Sequence, residues 1–350
     1  MVACAGCRIT RSRSLSAPEA KSYLKLTSEV LQTWKPGGSR CTAGKPTRSN
    51  MNVRDLLLDF GNACNNRCVF CRAHVNPRQI LRLDDIIDFD GLISVAERID
   101  VTGTGEFTIH PDFRKIVDRL SAADKPFRLV TNGTTLDESL EEMLLASSLY
   151  ELVVSINSLD RATYVKLCGA DKLPEVLDGF VRVANNPTRR FGLGASFVMT
   201  SHNFGELEDF VRFAHRHGSK LAIMDLTPTI KDYADGLRVE DTPENKEAIE
   251  RVRRLSARLG TGDNITRLQY RTGPSKGPKP ELLKTCKWPF ESIAVDPSGN
   301  VFSCCWNSTV MGNIREQSME DIWSGPMYED LRHCLKRGDP KYCANCRGFG

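Results

Sequence analysis

The sequence lacks several features that would place the chain outside the ordinary globular proteins. No run of about eighteen apolar residues occurs in its 350 residues, which excludes a helix that crosses a membrane. The first fifty residues contain no apolar segment of a secretory signal, so we expect a reducing, cytoplasmic setting. Residues 1–50 hold nine Lys and Arg against two Glu, whereas the remainder holds 39 basic and 42 acidic residues. The body of the protein therefore lacks the basic surface that nucleic acids require.

Cysteine is the residue type that stands out. The chain contains thirteen, an odd number. In a reducing compartment, clustered cysteines are more often metal ligands than disulfide partners. Hydrophobic residues make up 40% and charged residues 26%, both ordinary values for a globular protein. Cysteine is therefore the part of the composition that points to a function.

Residues 1–50 form a basic segment rich in Ser, Arg, Lys, Pro and Gly. Three interpretations fit this composition: a disordered tail, an organellar presequence, and translated sequence that precedes a true start at Met51. We favour the first and the third, and expect a basic, disordered extension ahead of the folded protein.

From Met51 onward, apolar runs alternate with helical patterns. The runs, interpreted as strands, are Leu56–Phe60, Ile99–Thr102, Phe127–Thr131, Leu152–Ile156, Gly194–Met199 and Leu221–Asp225. The helical patterns lie near Asp84–Arg98, Pro111–Ser121, Asp137–Ala146, Pro174–Ala184 and Phe204–His217. Six strands that each precede a helix or crossover predict parallel β/α units. Right-handed crossovers would curl such a sheet toward a barrel, with its functional face at the carboxyl ends of the strands.

The chain changes character after the sixth predicted strand. Residues 226–280 contain a charged helix from about Thr242 to Leu259 and a loop with Gly-Pro steps, which we interpret as the last helix and a linker. Six cysteines follow in the remaining residues. The predicted organisation is an extension at 1–50, a barrel core at 51–225, the helix and linker at 226–280, and a small cysteine-rich domain at 281–350.

Three cysteines occur within eight residues directly after the first predicted strand, in the segment Cys64-Asn-Asn-Arg-Cys68-Val-Phe-Cys71. Three thiolates without a fourth suit a cubane iron–sulfur cluster that leaves one iron open for a non-protein ligand. A zinc site is the alternative, but zinc usually takes four ligands, and His74 would have to fold back to complete the set. We therefore predict Cys64, Cys68 and Cys71 as ligands of a [4Fe–4S] cluster.

This triplet resembles the signature of the radical S-adenosylmethionine (SAM) superfamily, Cys-x3-Cys-x-aromatic-Cys, with Phe70 as the aromatic residue. The resemblance implies a partial (β/α)6 barrel related to the TIM barrel. It also implies that the open iron binds the amino and carboxylate groups of SAM. A flavodoxin- or ferredoxin-type electron donor is then an expected partner.

A second superfamily element follows the second predicted strand. The segment Gly103-Thr104-Gly105-Glu106 resembles the Gly-Gly-Glu segment that holds the amino group of SAM, with Thr104 in the place of the first Gly. Small residues would let the backbone approach the ligand, and the Glu106 carboxylate would pair with the ammonium. A turn of structural glycines is the alternative interpretation.

Short polar residues at strand ends complete the expected cofactor contacts. By the same resemblance, Ser155 and Asn157 would contact the ribose of SAM, although such residues also cap strands. Asn132, in a Thr-Asn-Gly turn, is a turn former and a candidate pocket residue. The sequence does not identify a catalytic base.

The C-terminal cysteines resemble a second pattern, that of the auxiliary-cluster extensions called SPASM and, in a shorter form, twitch. The stretch from Gly299 to Cys304 matches its Gly-x4-Cys half, and a Cys-x2-Cys pair closes it. The resemblance implies one auxiliary [4Fe–4S] cluster held by Cys286, Cys304, Cys343 and Cys346. A zinc knuckle is the alternative, and Cys305 competes with Cys304 as a ligand.

The elements around these cysteines can also be predicted. A turn at Asp296–Asn300 would join two strands of a hairpin. A helix around Ser318–Leu335 would return the chain to Cys343. Cys168 and Cys334 fit core or helix positions.

The implied activity is reductive cleavage of SAM to a 5′-deoxyadenosyl radical, which abstracts a hydrogen atom from the substrate. A four-cysteine auxiliary cluster has no open iron and suits electron transfer. The leading hypothesis is therefore a dehydrogenase-like oxidoreductase that oxidises a small polar metabolite, such as a sugar or aminocyclitol alcohol, as the twitch-type dehydrogenases do.

The alternative substrate is a short peptide. A radical SAM maturase would install thioether or carbon–carbon crosslinks in a ribosomal precursor, although the residues before Cys64 lack the peptide-recognition pattern of many such enzymes. A non-catalytic scaffold is disfavoured because Gly105 and Glu106 are retained. Molybdenum-cofactor biosynthesis fits less well because its auxiliary cluster has three cysteines.

Overall fold

The computed structural model describes residues 51, 53–71, 73–74, 77–224, 226, 236–261, 280–304 and 307–343. The strands are β1 Val53–Leu58, β2 Ala96–Val101, β3 Phe127–Thr131, β4 Leu149–Ser155, β5 Gly192–Val198, β6 Lys220–Met224, β7 Ser292–Val295, β8 Asn300–Phe302 and β9 Gly312–Asn313. They form one sheet in the order β6-β5-β4-β3-β2-β1-β7-β8-β9. All pairs from β6 to β7 are parallel, so the predicted α/β fold with a parallel barrel core is confirmed.

Helices connect the parallel strands and cover the sheet. The α-helices are α1 Phe89–Ser94, α2 Phe113–Ala122, α3 Glu138–Leu145, α4 Arg161–Cys168, α5 Leu173–Asn185, α6 Leu207–Arg216, α7 Pro243–Leu259, α8 Pro280–Lys284, α9 Trp288–Glu291, α10 Met319–Trp323 and α11 Pro326–Arg337. Short 3₁₀ turns lie at Leu83–Asp85, Phe107–Ile109 and Phe204–Glu206. Several helices begin at a side-chain cap, for example α4, where the Asp160 carboxylate accepts from the Thr163 amide at 2.8 Å.

The core lies between the helices and one face of the sheet. On α6, the buried residues Leu207, Phe210, Val211 and Ala214 recur at helical spacing and form one apolar stripe. The Phe210 ring packs against Phe197 of β5, with ring centroids 4.7 Å apart. The opposite face of these strands, which points away from the helices, is left for the cavity described below.

Two predicted helices differ from the structure. The pattern over Asp84–Arg98 is a 3₁₀ turn followed by the short α1, because the Asp88 side chain accepts from the Gly91 amide and starts a new helix there. The pattern over Ser318–Leu335 is broken into α10 and α11, because Pro326 has no amide hydrogen to continue the first helix. The helix α4 was not predicted, although it proves important for the site.

The C-terminal region continues the barrel sheet. Strand β7 pairs in parallel with β1, from Asp55 opposite Ser292 to Leu58 opposite Val295. The predicted hairpin follows as β7 and β8, and the Asp296 carboxylate accepts from the Ser298 and Asn300 amides at 2.9 Å within its turn. The domain boundary at residue 281 stays a prediction, since the sheet itself has no break there.

The predicted N-terminal extension at residues 1–50 and the predicted ligand Cys346 lie outside the described residues. Among the helices that the structure describes, none combines the length and the apolar composition needed to cross a bilayer.

Candidate active site

The cysteine loop (residues 61–71) follows β1 at the carboxyl edge of the sheet. Asn62, which is buried, ties this loop to the chain that leaves it. Its Nδ2 donates to the Pro77 carbonyl at 2.8 Å, and its Oδ1 accepts from the Gln79 amide at 2.8 Å. One buried carboxamide therefore ties the start of the loop to the chain that follows it.

The other side of the cysteine loop rests on the carboxyl end of α4. The amides of Arg67 and Val69 donate to the carbonyls of Cys168 and Leu167, both at 2.9 Å. Carbonyls in the last turn of a helix have no partner within the helix, so the loop satisfies them. Gly169 follows with a φ of +67°, and a Cβ there would lie 2.8 Å from the Arg67 carbonyl oxygen. Only glycine fits this junction without strain.

The thiols of Cys64, Cys68 and Cys71 are half-buried and line a cavity of about 630 Å³. Backbone amides approach two of the sulfurs: the Asn66 amide lies 3.4 Å from Cys64 Sγ, and the Ala73 amide lies 3.4 Å from Cys71 Sγ. Such donors stabilise a sulfur that carries negative charge. The three thiols line one cavity and two of them have amide donors, which fits the iron–sulfur cluster predicted for this loop, but in this structure the described cysteines are not gathered at the spacing of metal ligands.

Burial opposes ionisation of these thiols while no metal is bound. It raises the pKa of Cys64 to about 11. A hydrogen bond with Cys168, followed by burial, raises the pKa of Cys68. Because iron binds thiolates, cluster assembly must release the protons that these thiols hold at neutral pH.

The Gly103–Glu106 segment packs directly on the cysteine loop. The Gly105 amide donates to the Gly61 carbonyl at 3.0 Å, and the Glu106 amide donates to the Ala63 carbonyl at 2.8 Å. A Cβ at Gly105 would lie 2.4 Å from the Ala63 oxygen. Glycine is therefore required because two backbone segments meet here. The sequence prediction gave a different reason, the approach of a ligand.

The Glu106 carboxylate is buried and organises the loops after β2 and β3. Its Oε1 accepts from the amide and hydroxyl of Thr108 and from the Thr131 hydroxyl, while Oε2 accepts from the Asn132 amide at 2.6 Å. Burial raises its pKa. A positive group in the adjacent cavity would favour the charged form of the Glu106 carboxylate. This supports the predicted contact between Glu106 and the ammonium of SAM, which stays a proposal.

Asn132 links this carboxylate to the cysteine loop. Its Nδ2 donates to Asn65 Oδ1 at 2.8 Å and lies 3.8 Å from Cys64 Sγ. The structure brings all the predicted cofactor residues to the walls of the one cavity. They are Phe70, Thr104, Gly105, Glu106, Ser155 and Asn157. Their individual roles toward SAM stay predictions.

Asp59, which directly follows β1, was not predicted as a site residue. Its carboxylate accepts from the Gly61 amide at 3.0 Å and from the amide and hydroxyl of Thr104 at 3.2 and 2.9 Å. Burial raises the pKa of this carboxyl group. A carboxylate that ends an apolar strand just before three cysteines was the signal that could have indicated it.

The far end of the cavity is lined by charged residues that also escaped prediction. Arg128 pairs with Asp100 through two bonds of 3.0 and 3.1 Å, and Lys220 pairs with Glu151 at 2.9 Å. Arg128, Glu151 and Lys220 lie in the amino-terminal halves of their strands, where alternation with buried residues marks them as facing away from the helices.

The auxiliary cysteines lie on separate segments. Cys286 follows α8, Cys304 follows β8 and Cys343 follows α11, and all three are half-buried. The competing residue Cys305, like Cys346, is outside the part of the chain that the structure describes. Cys334 and Cys168 are buried on helices, and the Cys168 carbonyl also accepts the Arg67 amide of the cysteine loop.

Comparisons with known proteins bear on both regions. The model of the radical SAM superfamily matches residues 58–214, and the model of SPASM, an iron–sulfur cluster-binding domain, matches residues 286–347. The mycofactocin maturase MftC of Mycobacterium ulcerans is 26% identical over 315 residues, which are 84% of this chain and 81% of the relative. A probable GTP 3′,8-cyclase of Thermococcus kodakarensis is 30% identical over 183 residues, 50% of this chain and 57% of that protein.

Solved structures share the fold at low identity. Streptococcus suis SuiB bound to the precursor peptide SuiA has a TM-score of 0.63 and 14% identity, covering 94% of this chain and 84% of that one. The enzyme anSMEcpe with bound AdoMet has a TM-score of 0.58 and 14% identity, covering 84% of this chain and 85% of that one. The matched families confirm SAM, a [4Fe–4S] cluster and auxiliary iron–sulfur binding as the cofactors. The chain carries a radical SAM domain at residues 58–214 and a SPASM-type iron–sulfur domain at residues 286–347.

Proposed function

We propose that the protein is a maturase that modifies a ribosomally made peptide. The observation that carries this proposal is the similarity to the maturase MftC, which extends over 84% of the chain and so includes parts of both the barrel and the C-terminal cysteine region. The same fold in SuiB accommodates a precursor peptide. These findings support the peptide alternative better than the oxidation of a small alcohol, which the sequence had favoured.

The residues of the cysteine loop and its neighbours would hold the cofactors. When bound, SAM and the N-terminal cluster supply a 5′-deoxyadenosyl radical that abstracts a hydrogen atom from the substrate. Cys64, Cys68 and Cys71 would ligate the cluster. Glu106 would receive the ammonium of SAM, and Ser155, which is half-buried in the cavity wall, would contact its ribose.

The far end of the cavity suits a neutral reacting group. The described cations of the cavity lining, Arg128 and Lys220, are both held by carboxylates, those of Asp100 and Glu151. A triphosphate would need cations that are not already neutralised. We therefore disfavour a nucleotide such as GTP as the substrate, and the cyclase match, which reaches only half of the chain, does not alter this choice.

Small residues leave space for one amino-acid side chain of a peptide. Gly194, Ser196 and Ala222 line the cavity on β5 and β6. The Ser196 and Ser155 hydroxyls lie 3.1 Å apart and provide a polar patch on this wall. A side chain that extends past this wall would present its carbon atoms to the cofactor side of the cavity.

The proposal predicts a gene for a short precursor peptide beside the gene for this chain, and the peptide that it encodes provides the test. The full chain, reconstituted with iron and sulfide without oxygen, would be incubated with SAM, a reductant and the synthetic peptide. We expect peptide-dependent formation of 5′-deoxyadenosine and a product that has lost hydrogen atoms, both measured by mass spectrometry. The Cys68→Ala variant, which lacks a proposed ligand, serves as the control and should give neither.

One result would overturn the proposal. If sugar or cyclitol alcohols stimulate deoxyadenosine formation and yield ketones, whereas the peptide is returned unchanged, the enzyme is a small-molecule dehydrogenase instead.

A further inference from the structure

The Asp59 carboxylate joins the loop that follows β1 to the loop that follows β2. It accepts from the Gly61 amide, at the start of the cysteine loop, at 3.0 Å. It also accepts from the amide and the hydroxyl of Thr104 at 3.2 and 2.9 Å. Hydrogen bonds that a carboxylate accepts are stronger than those between neutral groups, so this side chain is a firm link between the two loops.

The backbone on which this carboxylate stands is fixed by the sheet. The Asp59 amide donates to the Val295 carbonyl at the end of β7 at 3.0 Å. On the other side of the same strand, the Leu58 carbonyl accepts the Thr102 amide at 3.3 Å. The carboxylate therefore holds both loops at a point that is itself anchored in the parallel sheet.

The segment after β2 is matched to the carboxylate at two successive residues. A Cβ at Gly103 would overlap with Asp59 Oδ1, so glycine leaves the space that the carboxylate fills. The next residue, Thr104, carries the hydroxyl that donates to Asp59 Oδ2. A glycine at position 104 would leave only the amide to make this contact.

The position of Thr104 bears on both proposed cofactor contacts. Its carbonyl oxygen lies 3.7 Å from Cys71 Sγ. The two residues that follow it, Gly105 and Glu106, donate their amides to carbonyls of the cysteine loop. A displacement of Thr104 would therefore shift the Glu106 carboxylate, the proposed acceptor of the SAM ammonium, relative to the cysteine loop.

We propose that Asp59 is a positioning residue for SAM binding and that it acts through Thr104. It holds the Gly103–Glu106 segment against the cysteine loop before SAM binds, so that binding does not have to order this segment. The inference rests on the proposed contact of Glu106 with SAM. It does not depend on the proposed peptide substrate.

Four variants separate the carboxylate from the hydroxyl. Asp59→Asn replaces one acceptor oxygen with a donor, Thr104→Val removes the hydroxyl at a similar volume, and Thr104→Ser keeps the hydroxyl. The double variant combines Asp59→Asn with Thr104→Val. The dissociation constant of SAM would be measured by anaerobic equilibrium dialysis on the reconstituted full chain, and amide exchange would be measured on the same protein without SAM.

Asp59→Asn should weaken SAM binding about tenfold, which is about 1.4 kcal/mol, as expected for lost hydrogen bonds to a charged group. Thr104→Val should weaken it about threefold, in proportion to one lost hydrogen bond. Thr104→Ser should recover most of that affinity. Because both changes act on one contact, the double variant should bind SAM little more weakly than Asp59→Asn alone.

Amide exchange distinguishes local positioning from a general loss of stability. The Gly105 and Glu106 amides should exchange faster in Asp59→Asn, whereas the Val69 amide, bonded to α4, should keep the parent rate. Asp296→Asn is the matched control, because Asp296 follows the neighbouring strand β7 and its carboxylate accepts from two amides of its own turn at 2.9 Å. This control should leave the SAM affinity at the parent value.

Several outcomes would overturn the proposal. Parent affinity in Asp59→Asn, or additive losses in the double variant, would show that the carboxylate does not act through Thr104. An equal weakening in Asp296→Asn would show that the loss of any turn carboxylate has this effect. If Asp59→Asn does not fold, the comparison of the two Thr104 variants decides, and equal losses in both would refute a role for the hydroxyl.

Failure of the proposed Glu106 contact would be a distinct result. Glu106→Gln would then bind SAM as tightly as the parent protein does.

Discussion

The two cysteine regions of the molecule are built in different ways. The cysteine loop carries its three proposed ligands within eight residues and is bonded to segments that lie far along the chain, at Gln79, Gly105 and Cys168. The C-terminal region distributes its cysteines over short elements that are separated by 18 and 39 residues, from Cys286 to Cys304 and from Cys304 to Cys343. The first site is a single loop fixed by a barrel, whereas the second gathers distant segments.

This difference implies different relations between metal and fold. A loop already fixed by hydrogen bonds keeps its backbone conformation before iron binds. Where ligands come from separate short elements, metal binding contributes directly to the free energy of folding. We therefore expect the N-terminal cluster to matter for chemistry more than for stability, and the auxiliary cluster to matter for both.

The largest expected effect is the loss of activity in Cys71→Ala. Removal of one of three proposed ligands should abolish SAM cleavage, measured as 5′-deoxyadenosine. The free energy of unfolding of the metal-free chain should change by less than about 1 kcal/mol, as for a substitution that breaks no buried network. A strongly destabilised metal-free protein would show that the loop depends on the Cys71 side chain for its conformation. The two cysteine regions would then not differ in how their folding depends on the cysteines.

Gly105→Ala should disturb the preformed site without touching a cysteine. The new Cβ would lie 2.4 and 2.5 Å from two backbone oxygens of the cysteine loop, so one of the two loops must move. We expect a loss of about 1–3 kcal/mol in unfolding free energy, typical of overpacking, together with weaker SAM binding. Gly205→Ala is the control, because a Cβ there meets no atom within 4 Å. Equal stability of the two variants, measured by chemical denaturation, would refute this account.

Removal of iron should affect the C-terminal region more than the cysteine loop. In hydrogen–deuterium exchange of the chelated protein, amides of β8 and α11 should lose protection, whereas the Arg67 and Val69 amides, bonded to α4, should keep most of theirs. The reconstituted protein is the reference. Comparable loss of protection in both regions would show that the cysteine loop is no more preformed than the C-terminal one.

The smallest expected effect is on the pH dependence of the metal-free protein. The pKa of Cys64 is raised from 9.0 to about 11 on folding, so the folded state favours the protonated thiol. This contribution to stability is fully present below pH 9 and is lost as the pH rises toward 11. Because the group is partly exposed, we expect a loss of about 1 kcal/mol. Cys64→Ala should flatten this part of the profile, measured by urea denaturation; an unchanged slope would contradict the shift.

The sequence predicted those parts of the fold and site that depend on local pattern. Neighbouring residues determine these features. They are the spacing of the cysteines, the strands that precede Cys64, Gly105 and Asn157, and the hairpin at Gly299. Helix α4 was missed because its eight residues carry only a weak amphipathic pattern, with Tyr164, Leu167 and Cys168 as the buried positions.

What the sequence could not predict depends on non-local packing. Gly105 was predicted to let a ligand approach, whereas the structure shows the carbonyls of Gly61 and Ala63 close to it, which no local pattern indicates. The hydrogen bonds of the Arg67 and Val69 amides with the end of α4 join residues about one hundred positions apart. The parallel pairing of β7 with β1 likewise brings together strands separated by more than two hundred residues.

The pairing of β7 with β1 limits where the chain can be truncated. Strand β1 has β2 on one side and β7 on the other, and the first residue after it, Asp59, donates its amide to the Val295 carbonyl at 3.0 Å. A truncated chain that stops before Ser292 would leave the β7 side of β1 with a row of unpaired amides and carbonyls. Exposed strand edges of this kind promote self-association, so an isolated barrel fragment should precipitate on expression unless another strand covers β1.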